Sequence, residues 1–226
     1  MMENIFVKYL SKQVKKKEAK VFEPGPVITI SRQYGCYATE IARKLAEKIT
    51  EISNNPWDYI TKEILEESAK NLGTGKHEIS HIFGANEKTF LSDLMVSFST
   101  KTYKSDSLIK KTIQSVVRTY SEQGNCVIVG RAGCIIAKNI KKSIHIRLTA
   151  PLNYRVKIIK DRFKLSDKVA RSKVLETDKK RQNFMKFFKG DLPDDEIFDL
   201  ILNREKMSCD EMIETIKRFA EVRALI

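Results

Sequence analysis

The sequence lacks long apolar runs, paired cysteines and an export signal. No hydrophobic stretch approaches the roughly 18 residues that span a membrane, so we expect no membrane protein. Residues 1–17 contain neither an apolar core nor a small-residue cleavage site, and nothing in them predicts export. The four cysteines are scattered, without a C-x-x-C pair. This spacing favours reduced, mostly buried thiols in a cytoplasmic protein.

Acidic residues are too few to balance the basic ones. The chain of 226 residues contains 42 Lys and Arg against 29 Asp and Glu, a net charge of +13. Residues 141–190 contain 16 basic and 4 acidic side chains, whereas residues 191–226 contain 5 basic and 10 acidic ones. A second basic run lies between Lys8 and Lys20. Charge of one sign at this density indicates an anionic ligand, although a solvated helix face explains any single lysine equally well.

Two kinds of anion fit the basic block, nucleotide phosphates and nucleic acid. The block has no zinc-finger spacing, RNA-recognition signature or clear helix-turn-helix pattern. Nucleic acid therefore stays open as a partner but is not favoured.

Short apolar runs alternate with amphipathic segments along the chain. We expect strands at 27–30, 58–60, 126–129, 144–148 and 197–202. We expect helices at 5–20, 41–49, 62–71, 107–123 and 152–189, and a final helix opened by the capping box of Ser208 and Glu211. This order predicts an α/β fold, a three-layer parallel sheet flanked by helices, with ligands at the carboxyl ends of the strands.

Two of those strand ends carry groups suited to an anion. The first strand leads through a loop to a helix start at Thr39 and Glu40, where backbone N–H groups are free to bind phosphate. Another strand ends in Gly130-Arg131, and Arg131 offers a planar fork for phosphate or carboxylate. The strict P-loop pattern is missing, because Tyr37 stands at a glycine position and Ala38 at the lysine position.

The run ITISRQYG at residues 28–35, continued by EIARKLAEK at 40–48, resembles the cytidylate kinase-like family of P-loop nucleoside monophosphate kinase relatives. The resemblance continues through KEIL at 62–65, IVGR at 128–131, APL at 150–152 with Arg155, DKKR at 178–181 and FDLILN at 198–203. It implies a P-loop NTPase fold over residues 27–226, with an acceptor lobe near 73–104 and a basic helical lid near 155–190. Residues 1–26 would form a basic N-terminal helical extension.

The resemblance also implies ATP-dependent phosphoryl transfer to a nucleoside monophosphate such as CMP or dCMP, with Mg²⁺. Arg131 and Lys62 would bind the acceptor, and Thr39 would ligate Mg²⁺. Lys179 and Arg181 would neutralise the transferred group, with Asp178 orienting them and Arg32 as a source of the missing P-loop charge. The phosphate loop would consist of Gly35, Cys36, Tyr37, Ala38, Thr39 and Glu40.

The departures from the family pattern leave a non-catalytic alternative open. Tyr37 and Ala38 replace the loop glycine and lysine, Ala132 replaces the aspartate after the Gly-Arg pair, and Thr61 replaces an acidic residue. A degenerate relative that binds nucleotide without transferring phosphate fits these replacements.

A zinc peptidase is the third alternative. The run HEISH at residues 77–81 matches H-E-x-x-H, in which two histidines one helical turn apart bind Zn²⁺ and the glutamate serves as base. A third ligand would have to be Glu87, and no Met-turn follows. Three histidines in a polar stretch also produce such a match by chance.

Overall fold

A computed structural model of the protein describes residues 25–61, 113–114 and 116–226. The strands are β1 (Val27–Arg32), β2 (Asp58–Ile60), β3 (Cys126–Val129), β4 (Ser143–Thr149) and β5 (Leu200–Asn203). The helices are α1 (Ala38–Ser53), α2 (Gly133–Ile136), α3 (Leu152–Phe163), α4 (Asp167–Lys189) and α5 (Cys209–Val222). A 3₁₀ turn at Asp194–Glu196 precedes β5. Residues 113–114 and 116–123 are also helical.

The strands form a parallel sheet in the order β2-β3-β1-β4-β5. The central strand β1 pairs with β3 from Val27 opposite Cys126 and with β4 from Val27 opposite Ser143. All four residues of β3 are buried, because both faces of the sheet are covered. The predicted α/β fold with a parallel sheet is confirmed.

Helices α1 and α5 cover one face of the sheet. The apolar side chains of α1 recur at helical spacing, and Ile41, Leu45 and Ile49 are fully buried. They pack against Ile28, Ile30 and the corresponding side of β4 in the largest apolar cluster. Helix α5 joins this cluster, and the predicted capping box opens it.

The opposite face is covered by the helical residues 116–123, by α2 and by the end of α4. Val116, Val117 and Tyr120 pack against Val27 and Ile128 in a second apolar cluster. Phe184 of α4 belongs to the same cluster, so the carboxyl end of α4 packs over this face.

The predicted basic helices at 152–189 form a hairpin of α3 and α4 joined by a short turn. Lys164 ends α3 in a left-handed conformation, and the hydroxyl of Ser166 caps the start of α4. Val156 and Ile159 of α3 pack against Ala170 and Val174 of α4, and this cluster reaches Tyr34 after β1. Of the helices in the described ranges, none is long and apolar enough to cross a membrane.

The structure corrects two predicted boundaries. The last strand begins at Leu200 rather than at residue 197, because the N–H groups of Ile197 and Phe198 bond to Asp194 in the 3₁₀ turn. Helix α1 already begins at Ala38, so three residues of the predicted phosphate loop are helical. The predicted helices at 5–20 and 62–71, and the segment 73–104, lie outside the described residues.

A buried histidine links β1 to β4. His145 Nδ1 lies 2.7 Å from Thr29 Oγ1, and Nε2 lies 3.4 Å from Ser143 Oγ. Burial lowers the pKa of His145 from 6.5, the charge of Asp199 acts in the opposite direction, and Lys138 lowers it further. The imidazole is therefore held neutral in the fold.

This arrangement predicts that acid destabilises the protein partly through His145. Because the folded-state pKa lies below the unfolded value, the free energy of unfolding falls as the pH decreases below 6.5. The variant His145→Gln should reduce the slope of the unfolding free energy against pH by up to about 1.4 kcal/mol per pH unit. Urea unfolding of both proteins at several pH values measures the difference. Identical slopes in the two proteins would contradict a buried, neutral His145.

Candidate functional site

A cavity of about 670 Å³ opens at the carboxyl edge of the sheet, between the ends of β1 and β3. The chain passes from β1 across β3 to reach β2, and later from β3 across β1 to reach β4. The connections therefore leave these two neighbouring strands in opposite directions. Such switch points form crevices in parallel sheets, and ligands bind there. Residues 31–33 and 129–132 form the floor of the cavity, and α4 with the turn to β5 forms its wall.

The turn after β3 has a strained backbone. Gly130, Arg131 and Ala132 have φ values of 75°, 52° and 54°, so three consecutive residues are left-handed. For residues other than glycine this conformation costs about 1–3 kcal/mol each and persists only where the surroundings enforce it. The turn places the guanidinium of Arg131 over the Phe184 ring at 5.6 Å, on the cavity wall.

The side chain of Arg32 crosses directly over Gly130. A Cβ on Gly130 would lie 1.9 Å from Arg32 Nη1, so only glycine permits this approach. The Arg32 carbonyl accepts a hydrogen bond of 3.4 Å from Arg181 Nη1. Three arginines from β1, the β3 turn and α4 therefore line one cavity.

The rear of the cavity contains charges that are already paired. Arg147 projects from β4, forms an ion pair with Asp194 and lies 5.4 Å from the Phe198 ring centroid. Lys189 Nζ donates to Asp194 Oδ1 at 2.9 Å. Burial acts to raise the pKa of Asp194, but Lys189 and Arg147 outweigh it and the net shift is downward.

The loop between β1 and α1 provides backbone donors. Gly35 has φ 97°, and a Cβ there would lie 3.2 Å from Arg155 Cβ, so the loop lies close against α3. Tyr37 is left-handed and precedes α1 without a side-chain cap. Within the described residues, no group accepts a hydrogen bond from the N–H of Tyr37, Ala38 or Thr39. These donors, at the positive end of α1, suit an anion.

A buried ion pair fixes this loop to the α3–α4 hairpin. Asp178 Oδ1 accepts the Tyr34 N–H at 2.7 Å, and Asp178 Oδ2 pairs with Arg155. Arg155 Nε donates to the Ala150 carbonyl at 2.9 Å. The Arg155 and Asp178 side chains are only 6% and 13% exposed. Both oxygens of Asp178 are thus engaged within the protein.

Arg181 completes the contact between α4 and the loop. Its guanidinium lies 5.3 Å from the Tyr34 ring centroid. Burial lowers the pKa of Arg181, and the charge of Asp178 opposes that shift. Burial likewise raises the pKa of the Cys36 thiol to about 11, which makes it a packed side chain rather than a nucleophile.

The structure brings together only some of the predicted site residues. Arg32, Arg131, Asp178 and Arg181 line the cavity. Residues 35–40 lie in the neighbouring loop and the first turn of α1, outside the cavity lining. Lys179 is exposed on α4, whereas Lys180 faces the cavity. Lys62 and the HEISH run lie outside the described residues. In the described ranges, no group of three His, Cys, Asp or Glu side chains is placed to bind a metal ion.

Sequence reasoning missed the pair of Arg147 and Asp194. Arg147 is a single arginine inside a strand, and Asp194 follows 47 positions later. No sequence pattern connects two residues so far apart, so their contact cannot be predicted from spacing. The strain at Ala132 has no signal in the sequence, because alanine does not indicate a left-handed backbone.

The start of α1 fits a magnesium–nucleotide in part. Thr39 and Glu40 are exposed in its first turn and offer the oxygen ligands that Mg²⁺ prefers. The loop donors described above suit phosphate oxygens. Ala38, however, is buried in the apolar cluster beneath α1 and supplies no charge.

Three comparisons relate the chain to known proteins. A cytidylate kinase of Staphylothermus marinus is 35% identical over 107 residues, which cover 46% of this chain and 60% of that protein. A cytidylate kinase of Ignicoccus hospitalis is 32% identical over 114 residues, which cover 50% and 66%. The matches thus span less than two thirds of either curated relative.

A solved structure supports the fold. The crystal structure of an uncharacterized protein from Eubacterium ventriosum superposes with a TM-score of 0.64 at 19% identity, covering 87% of this chain and 98% of that one. The family model described as cytidylate kinase-like matches residues 27–206, most of the chain. The parallel sheet, its switch-point cavity and this match agree, and the chain belongs to the cytidylate kinase-like family.

Proposed function

We propose that this protein is a nucleotide kinase that transfers a phosphoryl group from ATP to a nucleoside monophosphate. The observation that carries the proposal is the switch-point cavity, in which Arg32, Arg131 and Arg181 converge from three separate elements. Family membership and the relatives named cytidylate kinase support CMP or dCMP as the acceptor.

The cavity would receive the acceptor. Its cationic side suits a phosphate, because a planar guanidinium binds two phosphate oxygens at once. Its other side carries Phe184, Met185 and Phe198, which provide apolar surface for a base. Arg131 lies between the two, over the Phe184 ring, and would grip the acceptor phosphate.

The start of α1 would receive the donor phosphates. The N–H groups from Tyr37 to Thr39, which have no acceptor among the described residues, and the positive end of the helix would bind their oxygens. Thr39 would ligate Mg²⁺, which when bound supplies neutralising charge to the phosphates. Tyr37 occupies a glycine position, but its ring is turned toward α3, with Arg162 5.6 Å from the ring centroid.

The hairpin of α3 and α4 would serve as the lid, within residues 155–190. Arg181 projects from it into the cavity and would neutralise the transferred group, whereas exposed Lys179 would act only after a movement of α4. Asp178 would hold the lid in place rather than touch substrate, because both its oxygens bind protein groups. Phosphoryl transfer needs mainly such positioning and charge neutralisation.

A degenerate, nucleotide-binding relative without transfer is the second candidate. The observation favouring it is Ala38, which is buried where the P-loop lysine is expected and leaves the donor phosphates one cation short. Binding and turnover separate the two candidates, since only the kinase converts bound ATP.

The kinase proposal predicts ATP consumption that depends on CMP or dCMP. Turnover is measured for ATP with a panel of CMP, dCMP, UMP, AMP and GMP, in parallel with calorimetric titration of each nucleotide. Binding of ATP and CMP without turnover would establish the degenerate relative, and no binding of either would reject both candidates.

Arg131 should matter for the acceptor in particular. We expect Arg131→Met to raise the KM for the acceptor about tenfold or more and to leave the KM for ATP nearly unchanged, because a charge-assisted contact contributes about 1.5–3 kcal/mol. Arg131→Lys should recover only part of the loss, since lysine lacks the planar fork. Arg118→Met, at an exposed ion pair with Glu122, is the matched control. Equal changes in the KM for the acceptor and in the KM for ATP would contradict a role of Arg131 in acceptor binding.

Gly130→Ala tests the approach of Arg32. The added Cβ would displace the Arg32 guanidinium, and we expect kcat/KM to fall about tenfold to a hundredfold. A left-handed alanine also destabilises the fold by about 1–2 kcal/mol. Asn125→Ala is the control, because it also places an alanine at a left-handed position, with φ 49°, outside the cavity lining. If both variants lose stability and activity alike, the close approach of Arg32 to Gly130 has no catalytic meaning.

A further inference from the structure

Gln33 directly follows β1 and is fixed to the end of β4 by two hydrogen bonds. Its backbone N–H donates to the Leu148 carbonyl at 3.0 Å. Its side-chain Oε1 accepts the N–H of Ala150, the residue after β4, also at 3.0 Å. Gln33 lines the cavity, so its amide is held at the place where a ligand would enter.

The bond to Ala150 determines which way the amide of Gln33 points. A backbone N–H can only donate, so the amide atom that faces Ala150 is the oxygen, and Nε2 occupies the other branch. Within the described ranges, Nε2 has no acceptor and is not one of the buried side-chain atoms that lack a partner. The half-buried Gln33 therefore offers the cavity an accessible NH₂ group with two unused donors.

The group that anchors Gln33 is itself held in place. The Ala150 carbonyl accepts Arg155 Nε at 2.9 Å, and Arg155 forms the buried ion pair with Asp178. The orientation of the Gln33 amide thus depends on the same contacts that attach the hairpin to the loop after β1. A donor fixed in advance loses little freedom when a ligand binds to it.

The neighbours of Gln33 in the cavity favour a phosphate oxygen as its acceptor. Arg32 adjoins it in the chain, and Arg131 and Arg181 line the same cavity. A phosphate has three oxygens that accept hydrogen bonds, and charge-assisted bonds to such oxygens are stronger than bonds to a neutral carbonyl. A neutral amide adds donors here without adding to the repulsion among the arginines.

We propose that Gln33 Nε2 binds an oxygen of the acceptor's phosphate and orients that phosphate for transfer. The inference rests on the proposed function and adds a neutral donor to the cations of the site. Gln33 lines the acceptor cavity and lies two residues before Gly35 of the loop assigned to the donor phosphates. A phosphate bound by Gln33 would therefore lie on the side of the cavity that adjoins this loop, where transfer needs it.

A purely structural role explains Oε1 but not Nε2. Holding the Ala150 N–H requires only an acceptor, which a glutamate also supplies. Gln33→Glu therefore keeps the attachment to Ala150 and replaces the NH₂ group by a negatively charged oxygen. The variant separates the two roles without removing the side chain.

The test is calorimetric titration of CMP and of cytidine into the full chain at fixed ionic strength. We expect Gln33→Glu to weaken CMP binding about tenfold or more, because a donor to a charged group is lost and a like charge replaces it. The affinity for cytidine, which has no phosphate, should change less than about twofold. The unfolding temperature should change by less than about 2 °C, since the bond to Ala150 is retained.

Gln182→Glu is the matched control, because Gln182 lines the same cavity from its exposed position on α4. It introduces the same charge into the opposite wall, and we expect it to weaken CMP binding less than about threefold. An equal loss of CMP affinity in the two variants would show a general effect of cavity charge and would overturn the role of Gln33.

The remaining outcomes separate this inference from the proposed function. If Gln33→Glu binds CMP as tightly as the unaltered chain does, the role of Gln33 is overturned and the proposed function stands. An equal loss for CMP and cytidine would place the contact on the nucleoside and also overturn it. If cytidine does not bind the unaltered chain, the comparison of the two variants with CMP decides. If the unaltered chain binds no CMP, the proposed acceptor fails together with the inference.

Discussion

Arg155 and Asp178 form a buried ion pair between α3 and α4, and this pair also binds the loop that follows β1. A buried pair of this kind is costly to break from one side, by about 3–5 kcal/mol, because the remaining charge stays in a poorly solvated place. The α3–α4 hairpin is therefore attached to the loop rather than merely packed beside it. The positions of Arg181 in the cavity and of Gly35 against α3 both follow from this attachment.

Internal ion pairs of this kind determine which charges near the cavity remain available for a ligand. Asp178 satisfies Arg155, and Asp194 satisfies Arg147 and Lys189 at the rear of the cavity. Much of the positive charge near the cavity is thus balanced within the fold. The large excess in residues 141–190 does not act as one uniform surface, since its members divide between internal pairs, the cavity lining and the exposed face of the hairpin.

The loop after β1 presents backbone N–H groups although its sequence departs from the strict P-loop pattern. Its donors are backbone N–H groups, which any residue except proline supplies, so Tyr37 and Ala38 can occupy it. Ala38 supplies no side-chain charge, and backbone N–H groups cannot replace the full positive charge of a lysine.

The sequence by itself determined the order of the five strands, the close bounds of the first four, the start of α5 and the parallel direction of the sheet. Strands such as Cys126–Val129 are continuous apolar runs, and the box of Ser208 and Glu211 is a local signal, so neither needs distant contacts. Family motifs also singled out Arg131 and Arg181, which line the cavity, and their roles in binding stay predictions. Tertiary structure alone decided the rest. The pairing of Arg147 with Asp194 and the left-handed turn through Ala132 depend on contacts between residues far apart in the chain, and no local pattern encodes them.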